Sequence, residues 1–300
     1  MNAPNLAQNV VVETLASGTV LVAEPWGPAP VAAIQLWLPV GAWVEQPELH
    51  GAAHLLEHLV FRGAGALSGP ELTGAMESLG GDVNAWTSVE QTSFHVTLPA
   101  EHAVAGLKAL WSLVFAPWLR EEDLTAERPI VVEEIRGCAD DPGQVIAEAL
   151  RERVWGSHPY GRSVLGTVES VEGIEHARLV DFHKGHYRPE HAVVVVAGPV
   201  DLSAVRGALA ELAMPVLVPS LPPRVLPKGE PAQPGLHVVA GGFRDQRLEL
   251  AFPVGGPEDE SIAALDLLAV SLGVGTAALL GRRLRQELDL IHGCTATIEM

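Results

Sequence analysis

Cysteine is nearly absent from this chain. Cys138 and Cys294 are the only two, far apart and in no C-x-x-C pair. That argues against a disulfide framework and for buried thiols in a reducing compartment. Basic charge is also short. Nineteen Lys and Arg face 37 Asp and Glu, a formal net charge of −18, so a phosphate backbone would be repelled and nucleic acid is not an expected partner. The surplus acid reads instead as a solvated, aggregation-resistant surface. Long hydrophobic runs are missing too. The longest clean stretches, such as Ala192 to Ala197, are strand-sized and cannot span a bilayer, so no membrane partner is expected. The first nine residues lack the basic and apolar regions of a secretory leader. A cytoplasmic location is therefore expected, with a periplasmic one open if a leader has been removed.

What is present describes a globular protein: 48% apolar and 19% charged over 300 residues, enough for one large domain or two ordinary ones. Val10–Val22 and Val31–Pro39 read as strands with a turn at Gly27–Pro30. Leu49–Arg62 reads as a helix closed by Gly63, and Gly69–Leu79 as a second helix. Asp82–Ser88 and Gln91–Leu98 look like paired strands. Helices are expected near His102–Phe115, Glu121–Cys138, Gly143–Trp155, His176–Tyr187 and Leu202–Leu212. His158–Ser170 reads as irregular and Ala192–Ala197 as a strand.

Met214–Gly235 holds seven prolines and reads as an extended linker. The expected domains are thus 1–213, linker 214–235 and 236–300. Across the linker, Ala33 to Gly41 is echoed by Leu248 to Gly255. Each is a strand pattern running into Pro-Val-Gly, followed by an acidic loop and an apolar helix. At that offset His54, Glu57 and His58 map to Leu268, Ser271 and Leu272, so the second copy carries no metal motif. It also looks shorter than a full copy.

The chemistry lies in His54-Leu-Leu-Glu57-His58. Histidines four apart, with a glutamate three after the first, share one helix face. Two imidazoles so placed can hold one Zn²⁺, and the carboxylate beside them can take a proton from a metal-bound water. This is the H-x-x-E-H order of inverzincins. Glu57 adjoins the ligand His58, so it cannot easily bind the same ion. It can face the water, which makes it the candidate general base. A catalytic zinc needs a third protein ligand. Glu134 is the leading candidate and Glu133 its competitor. Glu127 lies two helical turns before Glu134, on the same face, where it could orient a ligand. Pro129 between them is expected to kink the helix.

These residues together resemble peptidase family M16, the pitrilysin, insulin-degrading and mitochondrial-processing peptidases. The resemblance spans roughly residues 10–300. Gly51 to Gly63 is similar to that family's metal helix, and Glu127-Arg128 with Glu133-Glu134-Ile135 to its E-R…E-E-I stretch. Asn84-Ala85-Trp86-Thr87 looks like its N-A-x-T segment, Pro159-Tyr160-Gly161 like its P-Y-G, and Tyr187 to Gly198 like the end of its first domain. The family has a zinc-binding glutamate some 70–80 residues after the motif; His58 to Glu134 is 76.

The resemblance implies an α+β fold, a mixed sheet with packed helices, in two homologous domains of which the second is incomplete here. It implies one zinc per chain and an endopeptidase that closes around extended peptides, which add a strand beside Asn84 and Ala85. It further implies that Arg285 reaches substrate. Seven residues on, where the family has tyrosine, stands His292. A homodimer, or a heterodimer with another M16-like chain, would complete the incomplete half. A subunit that holds peptides without cutting them is the alternative.

Overall fold

The structure, a computed structural model, describes residues 10–212, 234–256 and 258–298. The linker expected at 214–235 lies, apart from its last two residues, outside the described residues. The chain divides into two units, Met1–Glu249 and Leu250–Met300.

The first unit is built on a six-stranded sheet. Its strands are β1 (Val11–Thr14), β2 (Val20–Glu24), β3 (Val31–Leu38), a separate short pair β4 (Gly63–Ala64) and β5 (Leu67–Ser68), then β6 (Asp82–Thr87), β7 (Thr92–Pro99) and β8 (Val193–Ala197). The large sheet runs β1-β2-β8-β3-β7-β6. Only β2 and β8 run parallel; the other neighbours are antiparallel. The sheet is therefore mixed, as expected. Val10–Val22 is not one strand, however. Its alternation continues through a tight turn, where Gly18 at φ +93° lets Leu15 and Thr19 hydrogen-bond and the chain reverse.

Side chains alternate across the strands, so Ile34, Leu36, Phe94, Val96, Val194 and Val196 all point to one face and are buried. Helices cover that face: α1 (Ala52–Val60), α2 (Gly69–Ser78) and α3 (Ala103–Phe115) follow the expected order. Then come α4 (Glu121–Asp140), α5 (Pro142–Trp155), α6 (Val168–Gly173), α7 (His176–His186) and α8 (Leu202–Leu212). One expectation needs correction. α6 lies partly in a stretch read as irregular: Thr167 and Ser170 form a capping box there. α4, expected near Glu121–Cys138, runs through Pro129 to Asp140. Arg128 braces it by donating to the carbonyls of Val171 and Ile174.

In the second unit, Asp259 accepts from the amide and hydroxyl of Ser261, just before the apolar helix α9 (Ile262–Gly273). A π-helical segment, Gly281–Glu287, follows. The helix expected after Pro-Val-Gly is present, but the strand expected at Leu248–Gly255 is not. A strand exists by its ladder hydrogen bonds; among the described residues nothing pairs with 248–255, and Leu248, Leu250 and Phe252 stand exposed. No helix among the described residues is long and apolar enough to cross a membrane.

Candidate metal centre

The start of α1 is fixed before its histidines come into play. Gly51 sits at φ +93°, where a Cβ would lie 2.7 Å from the Leu165 carbonyl. The fully buried Glu45 carboxylate accepts from the Gly51 amide at 2.9 Å and the Ala53 amide at 2.8 Å. It thereby caps the positive end of the helix with an anion. Leu55, Leu56 and Leu59 bury the inner face of α1. His54 and His58 are left on the side turned toward α4.

Their ring centroids are 4.8 Å apart. Glu134 Oε2 lies 3.6 Å from His54 Nε2 and 3.5 Å from His58 Nε2. One ligand atom from each of the three falls within 4.8 Å of the other two. Such separations are long for hydrogen bonds. They are close to the edge of a tetrahedron, about 3.3 Å, drawn by ligands ~2.0–2.1 Å from a zinc ion. The donor set, two imidazoles and one carboxylate, suits zinc with a position open for water. The residues present fit a metal.

The surroundings sort the other acids. Glu133, the competitor, is exposed and paired with Arg136, outside the cluster. Glu127 is buried, and its Oε2 stands 3.4 Å from His58 Nδ1 while Arg62 engages its other oxygen. A proton on Nδ1 leaves the His58 Nε2 lone pair directed at the centre. Glu57 stays outside the triad and accepts a 2.5 Å hydrogen bond from the Thr87 hydroxyl.

Burial pushes the His54 pKa down to about 4 against the pull of Glu134, so this imidazole is neutral at pH 7. The neighbouring Glu134 carboxylate raises the His58 pKa, and His58 in turn lowers that of Glu134. Glu57 moves the other way: burial raises its pKa, partly offset by the Thr87 bond.

Asn84 and Ala85 lie on β6, which among the described residues has β7 alone beside it in the sheet. Asn84 is exposed, and its Oδ1 accepts from the Ala85 amide at 2.8 Å. Arg285 and His292 belong to the second unit, where both side chains are exposed. Sequence reasoning passed over Glu45, Arg62 and Thr87. Thr87 stood inside a segment already singled out, whereas Glu45 carries no local signal beyond an acid six residues before a helix-starting glycine.

Two family models match the chain: one described as Insulinase (Peptidase family M16) over residues 20–168, the other as Peptidase M16 inactive domain over residues 173–299. An uncharacterized zinc protease of Streptomyces coelicolor is 30% identical over 286 residues, covering 93% of this chain. The chain spans 62% of the length of that relative. Among solved structures, a protease from Helicobacter pylori superposes with a TM-score of 0.77 at 21% identity, over 93% of this chain and 68% of its own. A peptidase M16 inactive domain from Pseudomonas fluorescens superposes with a TM-score of 0.79 at 19% identity, over 95% and 69%. The fold is the α+β one of these neighbours, and with the two family models matching residues 20–168 and 173–299 the chain belongs to peptidase family M16.

Proposed function

We propose that the chain is a zinc-dependent endopeptidase acting on extended peptides or small unfolded polypeptides. The convergence of His54, His58 and Glu134 on one point, with Glu57 beside them, is the observation that carries this reading. His54, His58 and Glu134 would hold one zinc ion, and Glu127 would orient His58. When bound, the ion supplies Lewis acidity at the scissile carbonyl and brings the pKa of water down from ~15.7 toward about 7.

The rest falls to the chain itself. Glu57 takes the proton of the attacking water and later gives it to the leaving amine. Burial, by raising its pKa, moves it toward the range where it can do both. The open side of β6, with Asn84 and Ala85, offers backbone groups to a peptide added as a further strand. Arg285 and His292 are assigned to substrate contact, on the match of residues 173–299 to the second family model. The proposal includes a partner, a second copy or another M16-like chain, and a cytoplasmic location resting on the two free cysteines.

The test is cleavage of a mixed peptide library with one zinc bound, inhibited by 1,10-phenanthroline, with and without a full-length M16-like partner. Glu57→Gln should keep its zinc and lose about 10²–10⁴-fold in kcat, the scale of general-base catalysis. Normal turnover by that variant would refute the mechanism. The second reading, a subunit that binds peptides without cutting them, draws on the match to an inactive-domain model. Peptide binding without cleavage in both arms would favour it.

A further inference from the structure

We propose that Thr87 is a positioning residue for the base: its hydroxyl holds the Glu57 carboxylate and ties it to the strand beside which substrate would lie. The inference rests on the endopeptidase reading and deepens it. Thr87 closes β6 and stands opposite Thr92 across the hairpin. Its Oγ1 lies 2.5 Å from Glu57 Oε2, a length typical of a hydroxyl donating to an ionised carboxylate.

An ionised carboxylate only accepts, so Thr87 is the donor in this bond. Thr92 Oγ1 is 3.4 Å from Thr87 Oγ1. Fully buried, it gives its one proton to the Val40 carbonyl at 2.8 Å. Thr92 has none left for Thr87, and the Thr87 proton is free for Glu57. The two oxygens of the base thus become inequivalent. Oε2 carries the Thr87 hydrogen bond, which holds the carboxylate in one orientation.

A second consequence comes from the strand. Along β6, Asp82, Asn84 and Trp86 are exposed, while Val83, Ala85 and Thr87 are half-buried on the opposite face. A peptide added to the free edge therefore pairs with the same strand that anchors the base. A sideways shift of β6 would carry the Glu57 anchor with it. Misplacement on the ångström scale is what proton transfer tolerates least.

Thr87→Val keeps the shape without the hydroxyl, and Thr87→Ser keeps the hydroxyl without the methyl. Thr87→Ala replaces the valine variant if that one does not fold, as judged by its melting temperature. Three quantities are measured: zinc content, kcat and KM on a peptide the wild type cuts, and the carboxylate infrared band assigned by subtracting Glu57→Gln. Thr87→Val should bind zinc normally, lower kcat about 10–100-fold with KM within about 2-fold, and shift the band. Thr87→Ser should restore kcat and band together. Wild-type kcat in Thr87→Val, an unmoved band, or failure of a folded Thr87→Ser to rescue either would overturn the proposal. If the wild type cuts nothing with zinc bound, the endopeptidase reading fails instead. The infrared band then still decides whether Thr87 holds Glu57.

Discussion

Glu127 offers the sharpest test of how the centre is assembled, because its effect can be read without any substrate. Its carboxylate is buried and faces His58 Nδ1 at 3.4 Å, with Arg62 on the far oxygen. Removing such a partner typically costs 10–100-fold in metal affinity, or about 1.4–2.7 kcal/mol at 1.36 kcal/mol per decade. The 3.4 Å separation is beyond the usual N–H···O range, and the carboxylate is shared with Arg62. Both place the loss near the lower end, about 10-fold for Glu127→Ala. Arg62 is 36% exposed and can turn to water, so the fold should survive. Competition with a chromogenic zinc chelator gives the affinities. Glu134→Ala, which removes one of the three proposed ligands, should lose far more, and Glu133→Ala should lose nothing, since that side chain lies outside the cluster on Arg136. Wild-type zinc affinity in Glu127→Ala would refute the orienting role. A loss in Glu133→Ala equal to that in Glu134→Ala would refute the ligand set.

Two further outcomes are expected. His183 is buried with its Nε2 2.9 Å from the Val114 carbonyl, and burial pushes its pKa down to about 4. The unfolded chain protonates this histidine near pH ~6.5; its contribution is therefore complete above that pH and is lost as the pH falls toward 4. Linkage puts the loss at about 2 kcal/mol by pH 5. His183→Gln keeps an N–H donor for the Val114 carbonyl but does not titrate, so in thermal melts its stability should fall less steeply between pH 7 and 5; parallel slopes would contradict the burial argument. Asn84→Ala should raise KM about 5-fold, the worth of one hydrogen bond, at unchanged zinc content; steady-state kinetics with an unchanged KM would remove Asn84 from the substrate edge.

Much of the sheet and its helices was legible because periodicity is local. The β3 alternation, the 82–98 hairpin and the faces of α1 and α3 each follow from neighbours a few residues apart. The metal triad was half legible. His54 and His58 sit one turn apart, but choosing Glu134 over Glu133 needed to know which side of α4 faces α1. The misreadings have physical causes. Val10–Val22 holds a strand's alternation on both sides of a turn that only Gly18 reveals. Leu248–Gly255 has the alternation of a strand, but alternation supplies no partner for the backbone. The Thr87–Glu57 and Glu127–His58 contacts join residues 30 and 69 apart, and no pattern within one element encodes them.

The Glu45 anchor sets a limit on how this site can vary. Two of its attachments are main-chain amides, at Gly51 and Ala53, so a side-chain change at Ala53 does not remove the amide, whereas a Cβ at Gly51 would meet the Leu165 carbonyl. The path from residue 45 to 51 must also keep its length. Lengthening that short loop would detach the carboxylate from the helix entrance and swing both imidazoles out of line with Glu134. The sheet, whose ladder involves none of these groups, would stand. Such a protein would fold and still lose the proposed metal site.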